Sequence, residues 1–345
     1  MDAPPLDNRT DFAVHPQLLL DKDGEKLCAM VKATFELPAE GGPLELAPPE
    51  RSRPIRFADI PWGKPEISSI AYPSDVCLRK PGTDVLFVAK AYAPRHEPVP
   101  SFDVRVEVGP LAKNLRIFGL RVWEMGGAGL SRPAPIGEIE LRYDYAWGGT
   151  DDSDPTRIVE EPRNPVGMGV TRSASALTDQ RAPSIEDPTS FIQNHRTRPP
   201  PAGIGAIGRH WEPRRRYAGT YDAAWKEFRA PLPPEDFDDR FHHAASPGLV
   251  AEVPLAGRQK VALLNLVPGG GATTFELPNV GVEVEFRAKG RDPVVARPHL
   301  DTLLFDLYEV SPDKPITVEM VWRASIQAPR RMKDSLVVVR ERELS

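Results

Sequence analysis

The chain has 345 residues, of which 40% are hydrophobic and 27% are charged, and its formal net charge is −5. This composition is typical of soluble globular proteins and argues against general disorder and against a membrane-embedded chain. The negative balance also argues against broad attraction to nucleic acid or to an anionic membrane surface. Proline, with 39 residues, has about twice its usual share. Since proline is poorly tolerated inside helices and central strands, it favours a β-rich fold with many ordered loops.

The beginning of the chain and the cysteines indicate where the protein resides. MDAPPLDNRTDF has no basic segment followed by an apolar core, and no run of residues approaches the length of a membrane span. We therefore expect a cytoplasmic protein. Cys28 and Cys77 lack metal-ligand spacing and are too few for a disulfide framework, so we expect them to be small buried hydrophobic side chains.

Residues 1–149 show a period-two alternation that predicts half-buried strands. The alternation is clear in FDVRVEVG, where one face carries Phe102, Val104, Val106 and Val108. In EKLCAMVKATFEL one face carries Leu27, Ala29, Val31, Ala33, Phe35 and Leu37, and in GEIELRYDY one face carries Ile139, Leu141, Tyr143 and Tyr145. DVLFVAKAY is more continuously apolar and predicts a strand that is covered on both faces.

Residues 248–345 repeat this pattern. GVEVEFRAKG alternates through Val282, Val284 and Phe286, and ITVEMVWRASI alternates from Ile316 to Ile326. Neither region contains a useful length of helical periodicity. The sequence therefore predicts a mainly β fold of antiparallel, sandwich-like sheets, in which residues 1–149 and 248–345 pack together.

Residues 150–247 form a proline-, glycine- and aromatic-rich segment between the two β regions. Ordered segments of this length tend to be functional, and its large apolar side chains predict an ordered insertion lying against the β core. Two short helices are expected. DPTSFI offers Asp187 as an N-cap and Pro188 at the first helical position, and TYDAAWKEF predicts about two turns that begin near Thr220.

The segment GIGAIG, residues 203–208, matches the dinucleotide fingerprint G-x-G-x-x-G. That fingerprint requires a strand before it and a helix directly after it, so that helical amides point at a pyrophosphate. Here RPPPA precedes the motif and RHWEP follows it. We therefore expect no cofactor, and we interpret the segment as a flexible apolar loop.

Two pieces of the insertion, GRHWEPRRRYAGTYDAAW and PEDFDDRFHH, carry most of its reactive and aromatic side chains. From Arg209 to Ala245 there are seven basic and seven acidic residues, 7 − 7 = 0, whereas a phosphate-binding patch would keep a positive excess. Arginine, carboxylate and aromatic side chains either order a long loop or form interface anchors. The residues expected in one of these roles are Arg209, His210, Trp211, Arg214, Tyr217, Tyr221, Asp222, Trp225, Asp236, Phe237, Asp238, Arg240 and Phe241.

The histidines of the same pieces allow an alternative, a metal-assisted hydrolase. Its ligands would come from His210, His242 and His243 together with Asp236, Asp238 or Asp239. No metal-binding template such as H-E-x-x-H is present, and no G-x-S-x-G element indicates a serine nucleophile. We therefore expect neither a metal site nor catalytic residues.

A series of motifs carries a family resemblance over most of the chain. In order they are KPGTDVL, VGPLAKNLRIFG, YDYAWGGTD, PRNPVGMG, APSIEDP, GRHWEPRRRYAGTYDAAW and PEDFDDRF. The chain thereby resembles a bacterial family, long labelled a domain of unknown function, that is encoded in type VI secretion gene clusters. The resemblance implies a cytosolic adaptor or chaperone that helps effectors with a PAAR-like domain to load onto the VgrG spike. A structural component of the same secretion machine is the other alternative.

Overall fold

A computed structural model of the chain describes residues 4–329 and 331–344. Its first strands are β1 (Leu6–Asn8), β2 (Ala13–Asp21), β3 (Gly24–Glu36), β4 (Glu45–Leu46), β5 (Ile60–Pro61), β6 (Ile70–Tyr72), β7 (Thr83–Tyr92), β8 (Ser101–Val108), β9 (Leu111–Phe118), β10 (Trp123–Glu124), β11 (Gly129–Leu130), β12 (Glu138–Glu140) and β13 (Trp147–Gly148). The next part of the chain contains β14 (Thr150–Asp151), β15 (Val159–Glu160), β16 (Met168–Gly169), β17 (Ile185–Glu186) and a single α-helix within the described ranges, α1 (Ala223–Phe228).

The last part of the chain returns to longer strands. They are β18 (Val250–Ala251), β19 (Lys260–Leu264), β20 (Ala272–Glu276), β21 (Val280–Ala288), β22 (Val294–Ala296), β23 (Leu300–Leu307), β24 (Thr317–Gln327) and β25 (Ser335–Glu343). Short 3₁₀ turns occur at Pro94–His96, Tyr143–Tyr145, Ala174–Leu177, Arg214–Tyr217, Asp239–His242 and Met332–Asp334.

Three larger sheets organise these strands. The largest has eight strands, with the order β12-β7-β23-β24-β3-β2 and with β18 and β4 added beside β7 and β3. A five-stranded sheet has the order β17-β9-β8-β19-β20, and a four-stranded sheet has the order β1-β25-β21-β22. Most pairs are antiparallel, although β7 and β23 run parallel. Strands from the beginning and the end of the chain therefore lie side by side within the same sheets.

The core lies between the eight-stranded and the five-stranded sheet. The ring of Phe305 on β23 stacks 4.9 Å from Phe87 on β7, and it lies 6.2 Å from Phe275 on β20 of the other sheet. One contiguous apolar cluster includes these rings and the buried valines of β21 and β25. The mainly β, sandwich-like fold that the periodicity predicts is thus confirmed.

The strand faces confirm the period-two patterns in most places. Phe102, Val104, Val106 and Val108 are all buried on β8, and β7 is covered on both faces as its continuous apolar run predicts. The pattern in GEIELRYDY is misleading beyond residue 140, where β12 ends and a 3₁₀ turn at Tyr143–Tyr145 follows. This turn places Tyr143 in the core, so every second side chain is still buried after the strand has ended.

Strand β3 differs from the prediction of a half-buried strand, because both of its faces are covered. On the second face Lys32 is 0% exposed. Its Nζ atom pairs with the carboxylate of Asp75 and lies 3.1 Å from Oε2 of Glu319. Arg56 completes the group with a 2.9 Å bond from Nη1 to Glu319. Burial of these charges is compatible with the fold because each charge has an opposite partner.

The two cysteines are buried, as expected. Cys28 lies in the interior of β3, and Cys77 lies in the segment that covers the second face of that strand. Burial raises the pKa of the Cys28 thiol to about 12. These thiols therefore behave as small apolar side chains at neutral pH.

Two local expectations for the insertion are wrong. DPTSFI forms a turn in place of a helix: Asp187 does accept hydrogen bonds from the backbone and hydroxyl of Thr189, but the chain does not continue helically. A segment this short does not repay the cost of helix nucleation without further packing. GIGAIG is also not a flexible loop, because Ala206 bridges to both Ile70 and Ala245 inside the core.

The second predicted helix is confirmed as α1. It begins after Asp222, whose side chain caps it by accepting a 2.8 Å hydrogen bond from the amide of Trp225. None of the helices in the described ranges is long and apolar enough to cross a membrane.

Candidate functional site

A cleft of about 870 Å³ opens where the insertion meets the beginning of β7. Two 3₁₀ turns, Arg214–Tyr217 and Asp239–His242, pack together along one side of it. Its wall is formed by Lys22, Pro81, Gly82, Ile207, Pro213, Arg214, Tyr217, Phe237, Asp238, Asp239, Arg240, His243, Ala245, Pro247, Gly248, Val250 and Glu252. The cleft thus gathers Arg214, Tyr217, Phe237, Asp238 and Arg240 from the predicted set.

The cleft is anchored by a buried carboxylate on β7. Oδ1 of Asp84 lies 2.7 Å from Nδ1 of His243, and Oδ2 accepts bonds of 2.6 Å from Nζ of Lys80 and 2.8 Å from the amide of Ala244. Burial alone would raise the pKa of Asp84, but Lys80 and His243 outweigh it and hold this pKa well below its usual range. Asp84 is therefore ionised and fixes the end of the insertion to the core.

Arg214 is the most deeply buried cation of the cleft wall, with 4% exposure. Its Nε atom donates to the carbonyl of Phe241 at 3.0 Å, and Nη1 donates to the carbonyl of Ile207 at 2.8 Å. The guanidinium also lies over the ring of Phe241, 5.6 Å from its centroid. Burial lowers the pKa of Arg214 to about 10, so the side chain remains cationic at neutral pH.

The rim of the cleft is held by a second arginine. Arg240 contacts both carboxylate oxygens of Asp238, with a shortest distance of 2.6 Å, and its guanidinium lies 4.3 Å from the ring centroid of Tyr217. A bidentate pair combined with a cation–π contact fixes the orientation of all three side chains. The rim is therefore a preformed surface of polar and aromatic groups.

Arginine side chains pair with carboxylates at several places in the insertion. Within the segment the pairs are Arg216 with Glu212 at 2.8 Å, Arg229 with Glu235 at 3.2 Å, and Arg240 with Asp238. Two further pairs attach the segment to the β core, Arg79 with Asp239 and Arg209 with Asp59. The charges thus neutralise one another through local contacts as well as in number.

Arg209, His210 and Trp211 lie outside the cleft, along a smaller cavity of about 240 Å³. Trp211 is 1% exposed, meets the ring of Tyr143 edge-on at 5.7 Å, and donates from Nε1 to Nε2 of His210 at 3.0 Å. Gly208 permits this packing, because a Cβ atom there would lie 2.7 Å from Nε1 of Trp211. Trp211 therefore has the geometry of a core side chain.

Residues 219–236, called the arm below, lie in the sequence between two residues of the cleft wall, Tyr217 and Phe237. The arm contains α1, in which none of the residues is buried. Tyr221 is 56% exposed and Phe228 is 79% exposed. Aromatic side chains exposed to this degree are typical of interaction surfaces.

The arm is nevertheless well ordered by internal hydrogen bonds. Asp236 accepts bonds from the amide of Thr220 at 2.9 Å and from its hydroxyl at 2.7 Å, which close the base of the arm. Nε1 of Trp225 donates to the carbonyl of Leu232 at 2.9 Å, and Nε of Arg229 donates to the carbonyl of Pro233 at 2.6 Å. Asp222, Trp225 and Asp236 of the predicted set therefore fix the conformation of the arm.

The histidines proposed as metal ligands lie in different surroundings. His210 is bonded to Trp211, His243 to Asp84, and His242 packs between the rings of Phe237 and Phe241. Within residues 4–329 and 331–344, no three or more His, Cys, Asp or Glu side chains are placed so that they could hold a metal ion.

His242 is partly buried, and several positively charged side chains act on it. Burial is the largest cause that lowers the pKa of His242, to about 3. Four positive charges lower this pKa further, those of Lys80, Arg209, Arg214 and Arg323. The ring is therefore neutral at physiological pH and serves as an aromatic packing group.

Reasoning from the sequence missed Lys80 and Asp84, which organise the cleft from below. Both belong to the motif KPGTDVL, where Lys80 and Asp84 stand at the two ends of a tight turn. A lysine and an aspartate on either side of Pro81-Gly82 were the available signal, but their link to His243 depends on tertiary structure. From the sequence, His243 is a candidate metal ligand, and nothing in the sequence indicates its bond to Asp84.

Comparison with known proteins gives one match. The chain matches the model of a family described as an uncharacterized protein conserved in bacteria (DUF2169) over residues 22–323. That span contains every residue of the cleft wall and the whole arm. No curated protein and no solved structure matches the chain.

Proposed function

We propose a function for this chain, which belongs to the bacterial family described as an uncharacterized protein conserved in bacteria (DUF2169). It is a cytosolic adaptor or chaperone of a type VI secretion system. Its client is an effector with a PAAR-like domain, which it stabilises before export and helps to load onto the VgrG spike. The motifs that resemble the secretion-associated family support this assignment, above all GRHWEPRRRYAGTYDAAW and PEDFDDRF.

The observation that carries the proposal is the ordered arm with exposed aromatic side chains. Tyr221 and Phe228 contribute little to the core, since both are largely exposed. Internal bonds at Thr220 and Asp236 nevertheless hold the arm in one conformation. A preformed aromatic surface loses little conformational entropy on binding, which favours affinity for a partner.

Such a surface suits the stabilisation of an effector before export. A protein that binds the folded client and not its unfolded chain raises the client's stability by mass action. This mechanism needs no reaction chemistry and no cofactor.

Co-expression with the PAAR-like effector encoded nearby tests the proposal. We expect a complex that co-purifies and an increased level of the effector. The double change Tyr221→Ser and Phe228→Ser should abolish co-purification and leave the fold intact. Val253→Ser provides a matched control, because Val253 is 82% exposed but lies outside the arm.

Two results would overturn the proposal. One is the failure of the protein to form a complex with any neighbouring effector or spike protein. The other comes from fractionation of secreting cells. An adaptor stays in the cytosol, whereas a component of the spike leaves the cell together with the effector.

A further inference from the structure

The side chain of Arg214 combines deep burial with unused hydrogen-bonding capacity. Its Nε and Nη1 atoms each donate to a backbone carbonyl, but Nη2 has no hydrogen-bond partner among the described residues. Nη2 is not one of the described atoms that are both fully buried and unpaired. Since Arg214 lines the cleft, this atom is accessible from the cleft.

The neighbouring arginines do not share this property. Arg240 is paired with Asp238, and Arg79 is paired with Asp239 at the rim. For Arg214 no carboxylate lies in ion-pairing range among residues 4–329 and 331–344, and its two bonds go to neutral carbonyl groups. A buried cation without an anion is costly to maintain, so a partner that supplies the anion gains affinity from it.

The electrostatics of the cleft favour an anion close to Arg214. The carboxylates that act on Arg214 from a distance are those of Asp84 and Asp59. The oxygens of Asp84 already bind Lys80, His243 and an amide, and Asp59 pairs with Arg209 at 3.6 Å. Burial is the largest cause of the lowered pKa of His242, and nearby positive charges, that of Arg214 among them, lower this pKa further. Both oxygens of Asp84 are therefore engaged by other groups, and neither pairs with Arg214.

The cleft also limits which anion fits. Asp238, Asp239 and Glu252 lie in its wall and disfavour a doubly charged group such as phosphate. One free nitrogen on Arg214 suits a single carboxylate. Because the guanidinium is recessed, the carboxylate must be carried inward on a side chain while its main chain stays at the mouth, next to Tyr217.

We propose that the cleft binds the side-chain carboxylate of a Glu or Asp residue in a partner polypeptide, with Nη2 of Arg214 as the donor. This inference rests on the proposed function, because it defines the chemistry of the client segment. Tyr217 and Phe237 flank the carboxylate and contact the residues beside it. The arm, which begins and ends at these two aromatic residues, then contacts a second part of the same client.

The test uses blocked peptides and the whole protein with nitrogen-labelled arginine. The probe is acetyl-Tyr-Glu-Tyr-amide, and the readout is the nuclear magnetic resonance shift of the Arg214 Nε–Hε group, assigned from its loss in Arg214→Lys. We expect saturable binding, and the Gln analogue should bind at least about tenfold more weakly, because a charge-assisted hydrogen bond is lost. Equal binding of the Gln peptide would overturn the inference.

Two further probes distinguish the source of the anion. Acetyl-Tyr-Gln-Tyr with a free carboxyl terminus and inorganic phosphate should both shift Arg214 less than the Glu peptide. Tighter binding of either one would contradict a side-chain carboxylate. These comparisons measure binding to the unmodified protein, and a variant at Arg214 is needed only to assign the Arg214 signal.

Variants provide an independent check. Arg214→Gln should lose the preference for the Glu peptide over the Gln peptide, whereas Arg297→Gln, at an arginine that pairs with Glu283 outside the cleft, should retain it. Loss of the preference in both variants would overturn the role of Arg214. If the effector complex forms but the peptides do not bind, the carboxylate inference fails and the adaptor function stands. If the Glu peptide binds and no effector does, the adaptor function fails.

Discussion

Nδ1 of His243 lies 2.7 Å from Oδ1 of Asp84, although the two residues are 159 positions apart in the chain. The contact joins the end of the insertion to the beginning of β7. Lys80 binds the other oxygen of Asp84 and also donates to Oγ1 of Thr302 at 2.8 Å, on β23. One carboxylate therefore connects the insertion with two neighbouring strands of the largest sheet.

Asp84→Asn should destabilise the protein strongly. The change leaves the buried ammonium of Lys80 without its negative partner, and breaking a buried pair in this way costs about 3–5 kcal/mol. Urea unfolding measures the effect. Asp239→Asn is the control, since its partner Arg79 is half exposed and such a pair contributes less than about 1 kcal/mol. Equal losses in the two variants would show that Asp84 does not hold the insertion.

The two tryptophans of the insertion should respond differently to replacement by alanine. Trp211→Ala removes a fully buried ring beside Tyr143 and should reduce the free energy of unfolding by about 3–5 kcal/mol. Trp225→Ala removes a partly exposed ring and one hydrogen bond to Leu232, which contributes about 1 kcal/mol. The fold should survive the second change while binding of the effector decreases. Thermal unfolding and co-purification of each variant distinguish these outcomes.

Gly203→Ala should destabilise the core, because this glycine lies against an aromatic ring. A Cβ atom at position 203 would lie 2.6 Å from Cζ of Tyr143, whereas one at Gly129 would have no neighbour within 4 Å. Overpacking of this kind costs about 1–3 kcal/mol. Gly129→Ala is therefore the matched control and should unfold at the same urea concentration as the parent protein. A parental midpoint for Gly203→Ala would indicate that the segment moves freely.

Strands with one apolar face could be predicted from the sequence because every second residue in them is apolar and buried. Phe102 and Val104 on β8 illustrate this. The second face of β3 could not be predicted, because Lys32 is a charged residue in a position that normally faces solvent. Its partners Asp75 and Glu319 lie far away in the sequence, and burial follows only when all three meet.

The candidate site could be predicted in part for a similar reason. Aromatic and charged residues are concentrated in one segment of the sequence, and this concentration indicates Tyr217, Asp238 and Arg240. Whether each of these residues lies in the cleft, the arm or the core depends on how exposed its side chain is. A single sequence does not distinguish exposed from buried side chains of the same residue type. Arg214 shows this best, since its neighbours Arg215 and Arg216 are exposed while it is buried.

The stability of the protein should decrease between pH 6.5 and pH 4 because of His242. Burial and nearby positive charges lower the pKa of this histidine from 6.5 to about 3 in the folded protein. Below pH 6.5 the unfolded chain therefore binds a proton that the folded chain does not, and stability falls as the pH falls. The loss is at most about 1.4 kcal/mol per pH unit. Above pH 6.5 His242 is neutral in both the folded and the unfolded chain, so this loss of stability is absent.

His242→Gln tests this origin, because it removes the titrating ring. The free energy of unfolding from urea titrations should fall less steeply between pH 6.5 and pH 4 than in the parent protein. His96→Gln replaces an exposed histidine and should keep the full slope, since His242 is intact. Parallel curves for the parent and His242→Gln would assign the acid sensitivity to other groups.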